Sequence, residues 1–181
     1  LIRHKKYAIQ EGAINIENIQ NILNNIQVVE EPKLPFPQAD SFERVINLCE
    51  LLKQKGFISK NDITQNYDFD YRQTNYYSSA ARYLGLIKDV YENRQTGCSL
   101  TQEGFRIFNL PIVERQLEFV KLILTHTVFQ NTLNLYFEKG DAPTKDEVVE
   151  IMKEAQLYNI DSEQTYRRRA STIISWINWI L

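Results

Sequence analysis

The chain has 181 residues, of which 43% are hydrophobic and 12% aromatic, and its formal net charge is -2 at pH 7. This length and apolar share suffice for one substantial domain or two small ones, and they argue against disorder. No apolar run approaches the roughly 20 residues of a membrane span, and the slightly negative charge means that any nucleic-acid surface has to be local.

The first 37 residues are predicted to form a helical lead-in followed by a proline-rich strap. Isoleucine and leucine recur with helical spacing between Asn15 and Ile26. The prolines between Glu31 and Pro37 then prevent a helix from continuing, because proline lacks the amide hydrogen and fixes its own backbone angle. We place the first boundary after residue 37.

Residues 38–110 are predicted to begin with two helices, each with its own start signal. Asp40 or Ser41 is expected to cap the first helix, and Lys55-Gly56 to end it. The run from Ser59 to Asp62 is a second capping signature, so a short second helix should follow.

The central stretch, from Asp70 to Ile87, is predicted to be the third helix. Asp70 can accept amide hydrogens of the first turn while Gln73 reaches back, and Gly85 is the expected left-handed end. Leu86–Tyr91 and Cys98–Thr101, separated by the turn-rich residues 92–97, then predict a β-hairpin. Three helices followed by a hairpin are typical of a winged helix, a form of the helix-turn-helix.

Residues 111–181 are predicted to hold three further helices. A long helix should run from Pro111 to Gly140, with a break near residues 125–127. Residues 144–147 (Thr-Lys-Asp-Glu) form a full capping box, and Asp161 is expected to cap the last helix as Asp70 caps the central one.

Internal similarity predicts that these two segments are copies of one module. Three blocks recur in one order: residues 55–63 with 139–148, residues 70–74 with 161–165, and residues 78–87 with 171–180. The second copy ends where its hairpin would begin, so its wing is missing or truncated. The predicted fold is therefore mainly α, with two tandem helix-turn-helix or winged-helix modules and a small hairpin in the first.

Several polar side chains in these modules are of the types that contact bases and phosphates. On the central helix, Gln73, Tyr77, Ala80, Ala81 and Leu84 recur at three and four residues and are predicted to lie along an inner side, whereas the other polar residues point elsewhere. An ordinary exposed helix face is the competing interpretation. Two lysines follow helix starts, where the dipole disfavours them and an external anion would be favoured. The candidate DNA-binding residues are Lys60, Arg72, Gln73, Asn75, Tyr76, Ser79, Arg82, Lys88, Arg94, Lys145, Arg167, Arg168 and Arg169.

The last helix carries the densest positive charge, Arg167 to Arg169, which could bind phosphates as bidentate donors. The competing interpretation is surface ion pairing with Glu154 or Glu163. Trp176 and Trp179 could stack on bases, but on such an apolar helix we interpret them as core residues.

Catalytic signals are weak throughout. His4-Lys5-Lys6 begins like a phospholipase-type nuclease motif but lacks the acidic residue that should follow. Glu31 and Lys33 match the end of a metal-dependent nuclease motif, yet no metal-ligating aspartate precedes them on a strand. No phosphate-binding glycine loop or zinc-type cysteine pairing is present. We predict a non-catalytic chain with no cofactor and no metal site.

The two cysteines, Cys49 and Cys98, fit a reducing compartment better than a disulfide framework, so a cytoplasmic location is expected. The sequence begins at Leu1 without a methionine or a signal-like region, which predicts a piece of something longer.

Residues 72–87, together with 99–104, resemble the helix-turn-helix modules beside the nuclease domain of bacterial type II restriction endonucleases, and residues 168–177 are similar to the second module of that tandem arrangement. The resemblance covers roughly Pro35 to the end. It implies the DNA-recognition part of a restriction enzyme, with double-stranded DNA as partner. It also implies a nuclease domain outside this chain, which alone would need Mg²⁺; a homodimer is left open.

Two other functions stay open at this point. A winged-helix protein-interaction or transcription-regulator module is favoured by the negative net charge. A complete small nuclease would have to use Glu31 and Lys33. Arginines gathered on one face would favour DNA binding, whereas arginines paired with carboxylates would favour the interaction module.

Overall fold

The computed structural model describes residues 14–66 and 70–181, so the His4 to Lys6 pattern lies outside the described residues. Within these ranges the protein is mainly helical, with nine helices and one small antiparallel sheet. In chain order the elements are α1 (Ile16–Asn25), α2 (Phe42–Lys55), β1 (Phe57–Ser59), α3 (Lys60–Asn66), α4 (Tyr71–Tyr83), β2 (Ile87–Glu92), β3 (Gln95–Leu100), α5 (Gln102–Phe108), α6 (Ile112–Leu124), α7 (Thr127–Lys139), α8 (Lys145–Glu154) and α9 (Glu163–Ile180).

The chain divides into two compact units. One consists of residues 37–110, and the other combines the described residues 14–36 with residues 111–181. The sequence predicts a separate lead-in over residues 1–37, whereas the described residues 14–36 pack with the C-terminal helices. None of the helices described has both the length and the apolar character needed to cross a membrane.

The start and stop signals of α2 and α4 act as the sequence predicts. Ser41 caps α2 by accepting from the Arg44 amide, and Gly56 ends it with φ of 80°. Asp70 and Gln73 exchange hydrogen bonds of 2.7 and 3.4 Å at the start of α4. Gly85, with φ of 74°, follows its last turn and sends the chain into β2.

The sheet has the order β1-β3-β2, with all pairs antiparallel. The predicted hairpin is present, but its second strand is longer and its turn shorter than the sequence suggested. Only Asn93 and Arg94 form the turn, and both have positive φ (51° and 62°), as a two-residue hairpin of the favoured hand requires. The strand residues on either side of the turn are exposed and mostly polar. Their composition therefore resembles that of a loop.

Strand β1 and helix α5 were not predicted. β1 has only three residues and pairs with β3, from Phe57 opposite Ser99 to Ser59 opposite Gly97. Gly97 is required there, since a Cβ would lie 2.2 Å from the Ile58 carbonyl oxygen. These contacts fix β1 against the hairpin and complete the three-stranded sheet.

Helix α5 begins at a cap that also joins it to the end of α4. The Thr101 hydroxyl accepts from the Gly104 amide and donates to the Gly85 carbonyl at 2.6 Å. A Cβ on Gly104 would lie 2.3 Å from the Leu86 carbonyl oxygen. The interior glycine, which hid this helix from the sequence analysis, is what permits the close approach.

The core of the unit formed by residues 37–110 lies between α2, α4 and the sheet. Two alanines of α4, Ala80 and Ala81, are fully buried, and so are Phe42, Val45 and Leu52 of α2. Small side chains on α4 allow close packing against its neighbours. The inner face of α4 is thus occupied, and only its outer face is available for contacts.

In the other unit, the predicted long helix is two helices, α6 and α7, which meet at Thr125 and His126. Gly140 ends α7 with φ of 70°, and Thr144 and Glu147 form the predicted capping box of α8. The predicted cap of α9 is wrong by one residue. Ser162, not Asp161, caps it, because its hydroxyl accepts from the amide three residues ahead, at Thr165.

An aromatic stack joins the strap to the helices of this unit. Phe36 stacks on Phe129 with 5.8 Å between ring centroids, and Phe129 stacks on Trp176 at 5.2 Å. The strap is also held by the Val29 amide, which donates to the Thr125 carbonyl at 2.9 Å. Trp176 and Trp179 are buried, so their interpretation as core residues is confirmed.

Candidate functional site

The outer face of α4 carries a stripe of polar side chains. Arg72 is exposed, and Asn75, Ser79 and Arg82 are half-buried at spacings of three and four residues. Tyr76 lies beside this stripe. Apart from Arg82, none of these side chains has a hydrogen-bond or ion-pair partner in the parts of the chain that the structure describes. Guanidinium, amide and hydroxyl groups are therefore offered to an external ligand.

The first turn of α4 is fixed by its neighbours. The Gln73 side chain accepts from the Asp70 amide, so this predicted DNA contact is already engaged in the cap. The hydroxyls of Thr64 and Thr74 lie 3.0 Å apart and join α3 to α4. Thr74, missed in the sequence analysis, holds the two helices at a defined angle.

Arg82 is not free. Its guanidinium lies 2.5 Å from the Asp89 carboxylate, and its side chain is only 23% exposed. Arg82 is one of the predicted DNA contacts, and the sequence does not indicate this carboxylate partner. The spacing of seven residues across the Gly85 turn gives no local signal for the pair.

The hairpin extends beyond the core. Residues 91–96 are all exposed, and the Tyr91 side chain is 73% exposed. Lys88 and Arg94 are exposed, and neither has a partner among the residues described. Side chains alternate across the sheet, so Tyr91 lies on the same face as Asp89, which is the face that contacts α4 through Arg82.

Lys60, the first residue of α3, is half-buried. The Ser59 hydroxyl caps that turn by accepting from the Asp62 amide at 3.1 Å. The Lys60 side chain therefore lies at a helix start, as the sequence predicts.

The candidate residues of the second unit are more occupied. Lys145 donates to the Ser171 hydroxyl at 2.8 Å, and Arg167 pairs with Asp146 at 2.5 Å. Arg169 is half-buried, and Arg168 is exposed without a partner within residues 14–66 and 70–181. The structure therefore does not gather Arg167 to Arg169 into one free cluster, and Arg168 is the cation that remains available.

Charge is balanced in the unit that contains α4. Residues 37–110 hold nine acidic and nine basic side chains. A ligand would thus be held by the local arrangement of Arg72, Lys88 and Arg94 and not by a general positive potential.

Neither cysteine thiol is suited to act as a nucleophile. Burial raises the pKa of Cys98 to about 11, although the positive charge of Arg82 lowers it in part. Burial, with a contribution from Cys98, raises the pKa of Cys49 further. Neither would be a reactive thiolate at neutral pH.

The described surroundings of Glu31 and Lys33 offer little support for the nuclease alternative. Glu31 is half-buried with its carboxylate 3.6 Å from His126 Nδ1, and Lys33 is exposed. Within the described ranges, no group of three or more His, Cys, Asp or Glu side chains is arranged to hold a metal ion. Among the described residues that line a groove of about 420 Å³ between α1 and α7, Glu138 alone is ionisable.

These features define a mainly helical protein with a small three-stranded antiparallel sheet and an exposed polar helix face beside a hairpin. The chain belongs to the family described as a domain of unknown function (DUF7226), which matches residues 44–181. No curated protein and no solved structure matches the chain. The family match includes the whole of α4, the hairpin and α9.

Proposed function

We propose that residues 37–110 form a winged helix and that the chain binds duplex DNA. The order of elements from α2 to β3, with the strand order β1-β3-β2, supports the winged-helix assignment. In this arrangement α4 is the recognition helix and the β2-β3 hairpin is the wing. The Thr64–Thr74 contact sets the angle between the two helices of the helix-turn-helix.

The observation that carries the proposal is the contrast between the two sides of α4. One side is buried, whereas Arg72, Asn75 and Ser79 on the other side have no partner in the described chain. Arginine and asparagine are the side chains that pair most readily with guanine and adenine edges. Tyr76 adds a hydroxyl beside them, and Lys88 and Arg94 on the wing would contact phosphates.

The second module of the proposed tandem is α7, α8 and α9. Its first helix, α7, ends at Gly140 with positive φ, as α2 ends at Gly56. The two helices that follow, α8 and α9, each begin at a side-chain cap, at Thr144 and Ser162. Residues 140–181, all of which are described, contain no strand, so this module would act without a wing. Arg168 is its proposed phosphate contact, while Lys145 and Arg167 hold α8 and α9 together.

The proposed parent protein is a bacterial restriction endonuclease, and the chain itself is proposed to be non-catalytic and cytoplasmic. This rests on the resemblance of residues 72–87 and 168–177 to its recognition modules. A nuclease domain outside the chain would supply the cutting reaction and its Mg²⁺. Homodimerisation is part of the same proposal, because two copies could read two half-sites.

A winged-helix protein-interaction module is the second candidate. The balanced charge of residues 37–110 favours it, and so do the carboxylate partners of Arg82 and Arg167. This candidate predicts no salt-dependent affinity for DNA.

Fluorescence anisotropy with a pool of short duplexes, measured across a salt series, tests the proposal. We expect affinity to fall steeply with salt, and Arg72→Ala and Arg168→Ala each to weaken binding and reduce the salt slope by about one. Lys55→Ala, which removes an exposed cation at the end of α2, is the matched control. Absence of binding at low salt would favour the interaction module, whereas an equal effect of all three variants would mean attraction by overall charge and would contradict the proposed contacts of Arg72 and Arg168.

A further inference from the structure

We infer that Arg82 does not contact DNA but positions the wing against the recognition helix through Asp89. This inference rests on the proposed function, since it assigns a role within the same surface. The sequence predicts Arg82 to be a DNA contact. We assign it a positioning role instead, which depends on Asp89.

The base of the hairpin is fixed by backbone contacts. The Thr101 hydroxyl donates to the Gly85 carbonyl, and the Thr101 amide donates to the Leu86 carbonyl at 2.9 Å. Gly104 approaches the same Leu86 carbonyl closely. These contacts hold Gly85 and Leu86, immediately before β2, but do not reach the outer half of the strand.

Asp89 lies at the point where the hairpin leaves the core. It pairs across the sheet with Cys98, which is buried, whereas beyond the neighbouring Val90 and Gly97 every residue is exposed. The ion pair between Arg82 and Asp89, at 2.5 Å, joins α4 to the wing at this point. Displacement of Asp89 would change the direction of Tyr91 and Arg94.

Arg82 is itself held by its surroundings. Its Nε atom is buried, and only 23% of its side chain is exposed. Arg72, on the same stripe, is exposed. A guanidinium that is mostly covered and already bound to a carboxylate is suited to fixing geometry, whereas Arg72 is suited to contacting a ligand.

The sign of the effect of neutralising Asp89 tests the inference. If Arg82 contacted phosphate, Asp89→Asn would free it and remove a nearby negative charge, so binding would tighten. If Arg82 positions the wing, Asp89→Asn weakens binding by about fivefold, the range of a partly exposed ion pair. Glu92→Gln, on the same strand but without a partner in the described residues, is the matched control and should tighten binding slightly.

A coupling measurement separates positioning from a general loss of stability. Arg94→Ala should reduce the salt slope in the native chain but have little further effect in an Asp89→Asn background, because the wing is already displaced. The exchanged pair Arg82→Asp with Asp89→Arg should restore part of the affinity that either single change removes. Thermal unfolding of each variant verifies that the chain is folded.

Two outcomes would overturn the inference while leaving the proposed function intact: DNA binding that tightens in Asp89→Asn, or additive effects of Asp89→Asn and Arg94→Ala. If the native chain binds no duplex at any salt concentration, the proposed function itself fails and the inference fails with it. The native chain, measured first, therefore distinguishes the two failures.

Discussion

Trp176 is the residue on which the packing of the second unit depends most. It is fully buried and stacked on Phe129, which in turn stacks on Phe36. Aromatic side chains contribute the largest buried areas in a core, and their removal leaves a cavity that neighbouring residues fill only in part. The strap, α7 and α9 therefore depend on one another through three rings.

We predict that Trp176→Ala lowers the free energy of unfolding by about 3–5 kcal/mol. Urea denaturation followed by circular dichroism measures this change. Tyr158→Ala, at a site that is 41% exposed, is the control and should change stability by less than about 0.5 kcal/mol. Equal effects of the two substitutions would contradict the core assignment of Trp176.

The thiols provide a second prediction at this scale. Because burial raises the pKa of both Cys49 and Cys98, neither should react with a thiol reagent at pH 8 until the protein unfolds. Labelling with Ellman's reagent should give no rapid release from the native chain, whereas both thiols should react in denaturant. Rapid labelling of both thiols in the native protein would show that the unit of residues 37–110 opens readily.

At the scale of single elements, helix starts could be predicted well because their chemistry is local. The capping boxes of α4 and α8 depend on side chains three residues apart, and both were identified from sequence. The cap of α9 was misplaced because Asp161 and Ser162 are both good capping residues, and only tertiary packing selects between them. Sequence spacing cannot resolve a shift of one residue.

Elements that depend on distant contacts were missed for a related reason. β1 is defined by its pairing with β3, almost 40 residues away, and α5 contains a glycine that ordinarily weakens a helix. The same limit applies to the candidate site. The exposed residues of α4 follow from helical periodicity, whereas the partner of Arg82 follows only from the position of β2.

Glu147 gives a pH prediction for α8. Hydrogen bonds from Lys139 and from the Thr144 backbone hold the pKa of its carboxyl below the ordinary value of 4.5. A lowered pKa in the folded state contributes stability at pH values above 4.5, and this contribution is lost as the pH falls through the folded-state pKa. The native chain should therefore have a higher Tm than Glu147→Gln at pH 7, and the difference should diminish as the pH falls below 4.5.

Glutamine can still accept the Thr144 amide hydrogen, so this comparison isolates the charge from the capping geometry. Glu154→Gln, at an exposed position near the end of α8, is the control, for which the difference in Tm should not vary with pH in this way. A Tm difference for Glu147→Gln that stays constant as the pH falls well below 4.5 would contradict the role of the ionised carboxylate.

At the scale of the whole molecule, one unit is formed by a continuous segment of the chain and the other by two separate segments. Residues 37–110 are continuous and have their own core, whereas residues 111–181 pack with the preceding residues 14–36. Ile19, Leu23 and Phe36 are all buried there, and each contributes about 1.5–3 kcal/mol by its burial. The boundary after residue 37, inferred from proline content, did not reveal that the strap belongs with the C-terminal helices.

We predict that residues 37–110 fold as a separate fragment and that residues 111–181 alone do not fold stably. Heteronuclear NMR spectra of the two fragments test this, because a folded core disperses the amide resonances. Fusion of residues 14–36 to the start of residues 111–181 through an added flexible linker, which replaces residues 37–110, should restore a dispersed spectrum. A well-dispersed spectrum of residues 111–181 alone would contradict the structural role of the strap.

The central claim is that duplex DNA binds the outer face of α4 together with the wing. Chemical-shift mapping of the isotopically labelled full chain, titrated with a short duplex, tests it most directly. We expect the largest amide shifts at residues 71–79 and 91–95, with a smaller set around Arg168 and no change at Lys55. Shifts confined to α8 and α9, or no shifts at all in low salt, would contradict the assignment of α4 as the recognition helix.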